Sequence, residues 1–153
     1  MMDESLRELY QEIILEHNRN PRNFGALEDA DFTASGHNPL CGDQVTVYLK
    51  MDGDYIKDIR FVGQGCAISK ASASLMTTSL KGKTRGEAEA IFEAFHKMVT
   101  SDEDLDEQTM EKLGKLAVFA GVREFPTRVK CASLAWHTLR AALHQSNEIV
   151  RTE

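Results

Sequence analysis

The sequence predicts an α+β fold, with a small three-stranded antiparallel sheet and helices packed on one face. Three observations carry that prediction. A segment of helical period opens the chain, three strand-like segments follow between residues 32 and 62, and from Cys66 onward the period is helical again. The strands come in one run and do not alternate with helices, which argues against a parallel βαβ architecture. At 153 residues the chain can bury one core, and residues 1–153 read as a single domain.

Residues 4 to 19 form the first predicted helix, because Leu6, Leu9, Tyr10, Ile13, Ile14 and His17 fall on one amphipathic stripe. Pro21 then disfavours helix for the residue before it. Residues 32 to 38, 43 to 50 and 55 to 62 read as strands, with Met51-Asp52-Gly53-Asp54 as a hairpin turn. Cys66 to Leu80 reads as a helix ended by Gly82. Thr84 and Glu87 have the spacing of a capping box for the next helix, which runs to about Met98. A further helix is expected from about Glu107 to Phe119, and a last one from about Arg128 to Val150.

Composition narrows the function. The net charge is −6, with 27% charged and 42% hydrophobic residues. That balance gives no electrostatic footing for nucleic acid, whose binding rests on Lys and Arg neutralising phosphates. No apolar run reaches the ~20 residues needed to cross a membrane. Residues Met1 to Leu9 are acidic and polar and do not read as a secretory signal. Three cysteines with wide spacing do not suggest a disulfide framework, so a reducing, cytoplasmic location is expected.

Each cysteine stands at a junction between a loop and a regular element. Cys41 lies in Asn38-Pro39-Leu40-Cys41-Gly42-Asp43, and Asp43 opens a strand whose face continues through Val45, Val47 and Leu49. A carboxylate against a core is costly unless paired or bound to metal; the alternative is a solvated Asp43 at the strand mouth. Cys66 follows Gly63-Gln64-Gly65 and opens a helix, whose free N–H groups stabilise a thiolate. Cys131 falls in the first turn of the last helix, flanked by Arg128 and Lys130, with Trp136 packing near its face. Any one of these taken alone reads as a buried, inert cysteine. Together they make three sulfurs and a carboxylate, a donor set suited to tetrahedral Zn²⁺ bound by Cys41, Asp43, Cys66 and Cys131. That site carries a formal −2, which Arg128 or Lys130 can offset. His37 is a backup ligand, whereas His17, His96, His137 and His144 read as surface or core-edge residues.

At these three strings, and in the continuation Ala67-Ile68-Ser69-Lys70-Ala71-Ser72-Ala73-Ser74, the chain resembles the IscU-like family of iron–sulfur assembly proteins. The resemblance runs from the first helix to the last. It implies an IscU/SufE-like α+β fold with Cys41, Asp43, Cys66 and Cys131 gathered at one end. Two features resemble the SufU branch. Lys130 stands where scaffold proteins usually have a histidine, and a helical stretch is added within Lys81 to Gly121. The resemblance then implies a zinc-dependent sulfurtransferase whose Cys41 accepts persulfide sulfur from a SufS-type cysteine desulfurase for iron–sulfur cluster assembly. Downstream Suf assembly proteins are candidate recipients, and Arg128 is a charge partner for the site. The alternatives are a scaffold carrying a [2Fe–2S] cluster and a zinc site that only holds the fold together.

Overall fold

The structure is a computed structural model that describes residues 4–101, 104–144 and 150–152. It opens with α1 (Glu4–Arg19), followed by β1 (Phe32–Asn38), β2 (Asp43–Asp52) and β3 (Tyr55–Gln64). Then come α2 (Ala67–Leu80), α3 (Arg85–Thr100) and α4 (Glu107–Leu113). A stretch of 3₁₀ turns spans Gly114–Glu124, before α5 (Pro126–Leu143) and the two-residue strand β4 (Val150–Arg151).

The sheet has the order β3-β2-β1-β4. The three predicted strands pair antiparallel, and β4 adds to β1 in parallel. Alternation decides which face is covered. Ala34, Gly36 and Asn38 of β1, and Asp43, Val45, Val47 and Leu49 of β2, are buried. Their neighbours Thr33, Ser35, Gln44 and Thr46 lie on the open face. Helices α2 and α5 pack on the buried face, and α1 packs on α2. The α1 stripe joins the core through Tyr10, Ile13 and Ile14, while Leu6 and Leu9 remain exposed.

Two predicted elements differ from those observed. The helix expected over 107–119 stops at Leu113, because Gly114 adopts φ +53° and the chain continues as 3₁₀ turns. The last helix ends at Leu143, not Val150; Val150 instead begins β4. Other details agree. Thr84 and Glu87 form the reciprocal capping box, and the hairpin between β2 and β3 turns at Gly53, φ +60°.

Small residues in α2 set how closely its neighbours approach. Ser72 Oγ donates to Ala132 O of α5 (2.6 Å) and accepts from Trp136 Nε1 (3.1 Å). Ser74 Oγ meets His17 Nδ1 of α1 at 2.7 Å. Trp136 stacks on Phe95 with ring centroids 4.6 Å apart, and Phe95 meets Phe119 edge-on. The Ser72 contact therefore fixes the spacing between α2 and α5, with Cys66 at the N-cap of α2 and Cys131 in the second turn of α5, since that helix starts at Pro126 and not at Arg128.

Ser72→Ala leaves the buried Trp136 N–H without its acceptor, and a loss of about 1–3 kcal/mol is expected. Urea unfolding followed by fluorescence of the single tryptophan measures it. Burial holds both His17 and His137 below the ordinary imidazole value, helped by Arg22 at the first and by His96 and Arg140 at the second. Both histidines therefore take up protons on unfolding. Their contribution is complete above about pH 6.5 and is lost as pH falls through the lowered folded values. The urea midpoint is expected to fall between pH 7.5 and 5.5, and His137→Gln to flatten that fall.

Candidate metal centre

Each of the four predicted ligands is placed by a different local device. Cys41 sits in the short loop from β1 to β2, exposed, where Cys41 N and Gly42 N both donate to Asn38 O (3.2 and 2.9 Å). Gly42 takes φ +72°, which lets the loop reverse in so few residues. Asp43 follows as the first residue of β2 and is fully buried. Its Oδ1 accepts a hydrogen bond from Cys66 N at 2.8 Å.

Cys66 is the N-cap of α2, and its sulfur accepts from Ser69 N at 3.4 Å. The Cys66 thiol also lies 3.7 Å from Asp43 Oδ2. Gly65 makes this approach possible. It takes φ +143°, and a Cβ there would collide with Asp43 Oδ1. Cys131, buried on α5, brings its thiol to 3.5 Å from Cys41 Sγ. Burial, chiefly, pushes the Cys131 thiol far above the ordinary range, and hydrogen bonds with Asp43 and Cys41 and the nearby Cys66 add to it.

Ligand atoms of Cys41, Asp43 and Cys131 all lie within 4.8 Å of one another. Cys66 stands beside this trio, joined to it through Asp43 and engaged as a helix cap. Two sulfurs bound tetrahedrally at 2.3 Å from one zinc are about 3.8 Å apart. The 3.5 Å separation of Cys41 Sγ and Cys131 Sγ is close to such an edge. Two thiols and one carboxyl group are thus close enough to share a thiophilic divalent ion, with the Cys66 thiol at the margin of the group. All three cysteines are free.

The other predicted residues lie outside this cluster. Arg128 is exposed and places its guanidinium over the Phe125 ring, 4.3 Å from the centroid, one helical turn from Cys131. Lys130 lines a separate cavity of about 470 Å³ with His96, Ser133 and His137. His37 does not serve as a backup ligand. Strand alternation puts it on the open sheet face, beside Gln44, Thr46 and Gln64, while Asn38 and Asp43 turn inward. The reading of the residues assigned no role to Asn38, although the inward alternation of Ala34 and Gly36 pointed to its burial.

Residues 9–132 match the model of the NifU-like N terminal domain. This chain belongs to that family. A protein of Bacillus subtilis (strain 168), named zinc-dependent sulfurtransferase SufU, is 41% identical over 138 residues, covering 88% of this chain and 89% of the relative. A protein of Streptococcus pyogenes serotype M1, named iron–sulfur cluster assembly scaffold protein IscU, is 38% identical over 141 residues, covering 92% of this chain and 86% of the relative. The NifU-like fold is shared with the crystal structure of FiSufU from the thermophile Fervidobacterium islandicum AW-1. The TM-score is 0.81 at 37% identity, covering 90% of this chain and 98% of that one. A NifU-like N-terminal protein from Brucella abortus superposes with TM-score 0.80 at 28% identity, covering 92% and 95%. No described helix is long and apolar enough to cross a membrane.

Gly65→Ala tests the packing of Asp43 against the cysteine loop. A side chain at this φ costs roughly 1–3 kcal/mol before the collision is counted. Lower stability in urea is expected, and a wild-type urea midpoint would contradict the close approach.

Proposed function

We propose that this chain is a zinc-dependent sulfur acceptor, which takes persulfide sulfur from a SufS-type cysteine desulfurase and passes it on for iron–sulfur cluster assembly. The observation that carries this reading is the asymmetry of the thiols. Cys41 is exposed on a loop, whereas Cys131 is buried in α5 and Cys66 caps α2. A sulfur delivered from outside therefore meets Cys41 first. The Bacillus relative's name supports the same reading.

Zinc bound by Cys41, Asp43, Cys66 and Cys131 would keep the thiols deprotonated and shield them from oxidants. The chain's own residues do the rest. The Cys41 thiolate attacks the outer sulfur of the desulfurase persulfide. The partner's S–S bond breaks as a new one forms at Cys41. The partner cysteine leaves as its thiolate, and the proton on the transferred sulfur stays with it. No electrons are gained or lost overall. Asp43, Cys66 and Cys131 hold the loop end in place, and Arg128, exposed one helical turn from Cys131, adds positive charge at longer range. The receiving Suf assembly protein takes the sulfur by the same exchange in reverse.

A second reading has its own support. Relatives from Streptococcus pyogenes and Thermotoga maritima carry the name of a scaffold protein, and a set of three thiols also suits a [2Fe–2S] cluster. Lys130 argues for the first reading, because it puts a cation where a fourth protein ligand would be useful and turns toward another cavity.

Purified chain is expected to hold one zinc and no inorganic sulfide. After mixing with the desulfurase and ³⁵S-cysteine, mass spectrometry should find the persulfide on Cys41. Cys41→Ala should abolish acceptance, and Arg128→Ala should slow it without changing zinc content. Full acceptance by Cys41→Ala rules out the mechanism; iron and sulfide in equal amounts favour the scaffold.

A further inference from the structure

Asn38 ends β1 and is completely buried, yet its side-chain Nδ2 has no hydrogen-bond partner among the described residues. Buried amide donors are rarely left this way, because the lost hydration is not recovered. The rest of the residue is engaged. Its main-chain oxygen accepts from Cys41 N and Gly42 N, and its Oδ1 accepts from Leu40 N at 3.1 Å. One end of the amide is thus pinned by the loop that carries Cys41, and the donor end is left in the interior.

The register says what lies opposite. Asn38 pairs with Asp43, and both are on the covered face. Two residues earlier, Gly36 touches α5: a Cβ there would collide with Thr138 Oγ1 and come within 3.2 Å of Leu134 Cδ1. Cys131 Sγ meets Cys41 Sγ beyond the end of β1, so α5 runs antiparallel to that strand. One strand repeat from Gly36 to Asn38 covers about 6.6 Å. One turn back along α5, about 5 Å, leads from Leu134 to Cys131. Asn38 therefore faces the helical turn that holds Cys131.

We propose that Asn38 is a positioning residue whose Nδ2–H donates to a ligand sulfur of the loaded centre, with Cys131 the sulfur on the α5 turn that faces it. This inference rests on the zinc-thiolate reading above. A metal-bound sulfur keeps lone pairs and much of its negative charge, and a fixed N–H dipole relieves both. Arg128 is stacked on Phe125, Lys130 lines another cavity and Ser69 N already serves Cys66 Sγ, whereas this neutral amide is a buried donor still without an acceptor among the described residues. The open valence of Asn38 is thereby reserved for the loaded state.

The test uses full-length chain loaded with zinc, cobalt or ¹¹³Cd. Asn38→Ser keeps a short oxygen for Leu40 N and removes the amide. Competition with a chromophoric chelator should show zinc affinity about 10- to 100-fold weaker. The thiolate-to-cobalt absorption should move to longer wavelength, while the melting temperature of the metal-free chain changes little. A folded variant with wild-type affinity and spectrum overturns the proposal. In the wild-type chain, which needs no variant to fold, the Asn38 side-chain amide protons should move downfield on cadmium loading; resonances that stay in place also overturn it. Failure of the wild type to take up one metal ion defeats the metal reading itself, and is seen before any variant is made.

Discussion

The site is organised by one constraint, the complete burial of the Asp43 carboxyl group. A carboxyl group inside a protein must be satisfied by donors or by a cation. Here Cys66 N supplies one hydrogen bond, and the Cys66 and Cys131 thiols approach as well. Satisfying Asp43 brings the first turn of α2 against the start of β2. Gly65 permits the approach, and Ser72 then sets where α5, and so Cys131, can lie. Sulfurs far apart in sequence meet because they surround the same buried oxygen atoms.

Much of this could be read from the residues. The strand boundaries followed from period-two alternation, the start of α3 from Thr84 and Glu87, and the cysteine settings from their glycines. What was missed depended on tertiary context. The sequence from Glu107 to Phe119 reads as one helix, yet Gly114 in a left-handed conformation diverts its second half into tighter turns. The residues near Val150 have no signal of their own, since a two-residue strand exists only because β1 offers an edge. His37 looked close to Cys41 along the chain, but strand alternation turned it to the other face. Arg128 lies one turn from Cys131 as expected, yet its guanidinium stacks on Phe125, a contact that spacing along the chain does not reveal.

The thiols are unequal because the backbone around them is unequal. Cys66 caps α2 and Cys131 lies within α5, so moving either sulfur means disturbing a cap or a packed turn. Cys41 lies in a four-residue connection held by two main-chain bonds to Asn38. Leu40 beside it is largely exposed, so the loop offers an apolar shoulder next to its sulfur. Access is thus concentrated at one of three chemically identical groups.

The sheet margins have a consequence for assembly. β4 closes the thiol-proximal end of β1, with Thr152 N donating to His37 O. On the opposite margin, Gly25 N donates to Phe61 O and Phe61 N to Asn23 O, and Tyr55 bridges to Thr84. The chain thus blunts both borders with its own backbone, which discourages strand-by-strand annealing with another polypeptide. Recognition at this end must then proceed through side chains and loop shape, leaving the sulfur-bearing tip accessible without making the molecule prone to fibrous aggregation.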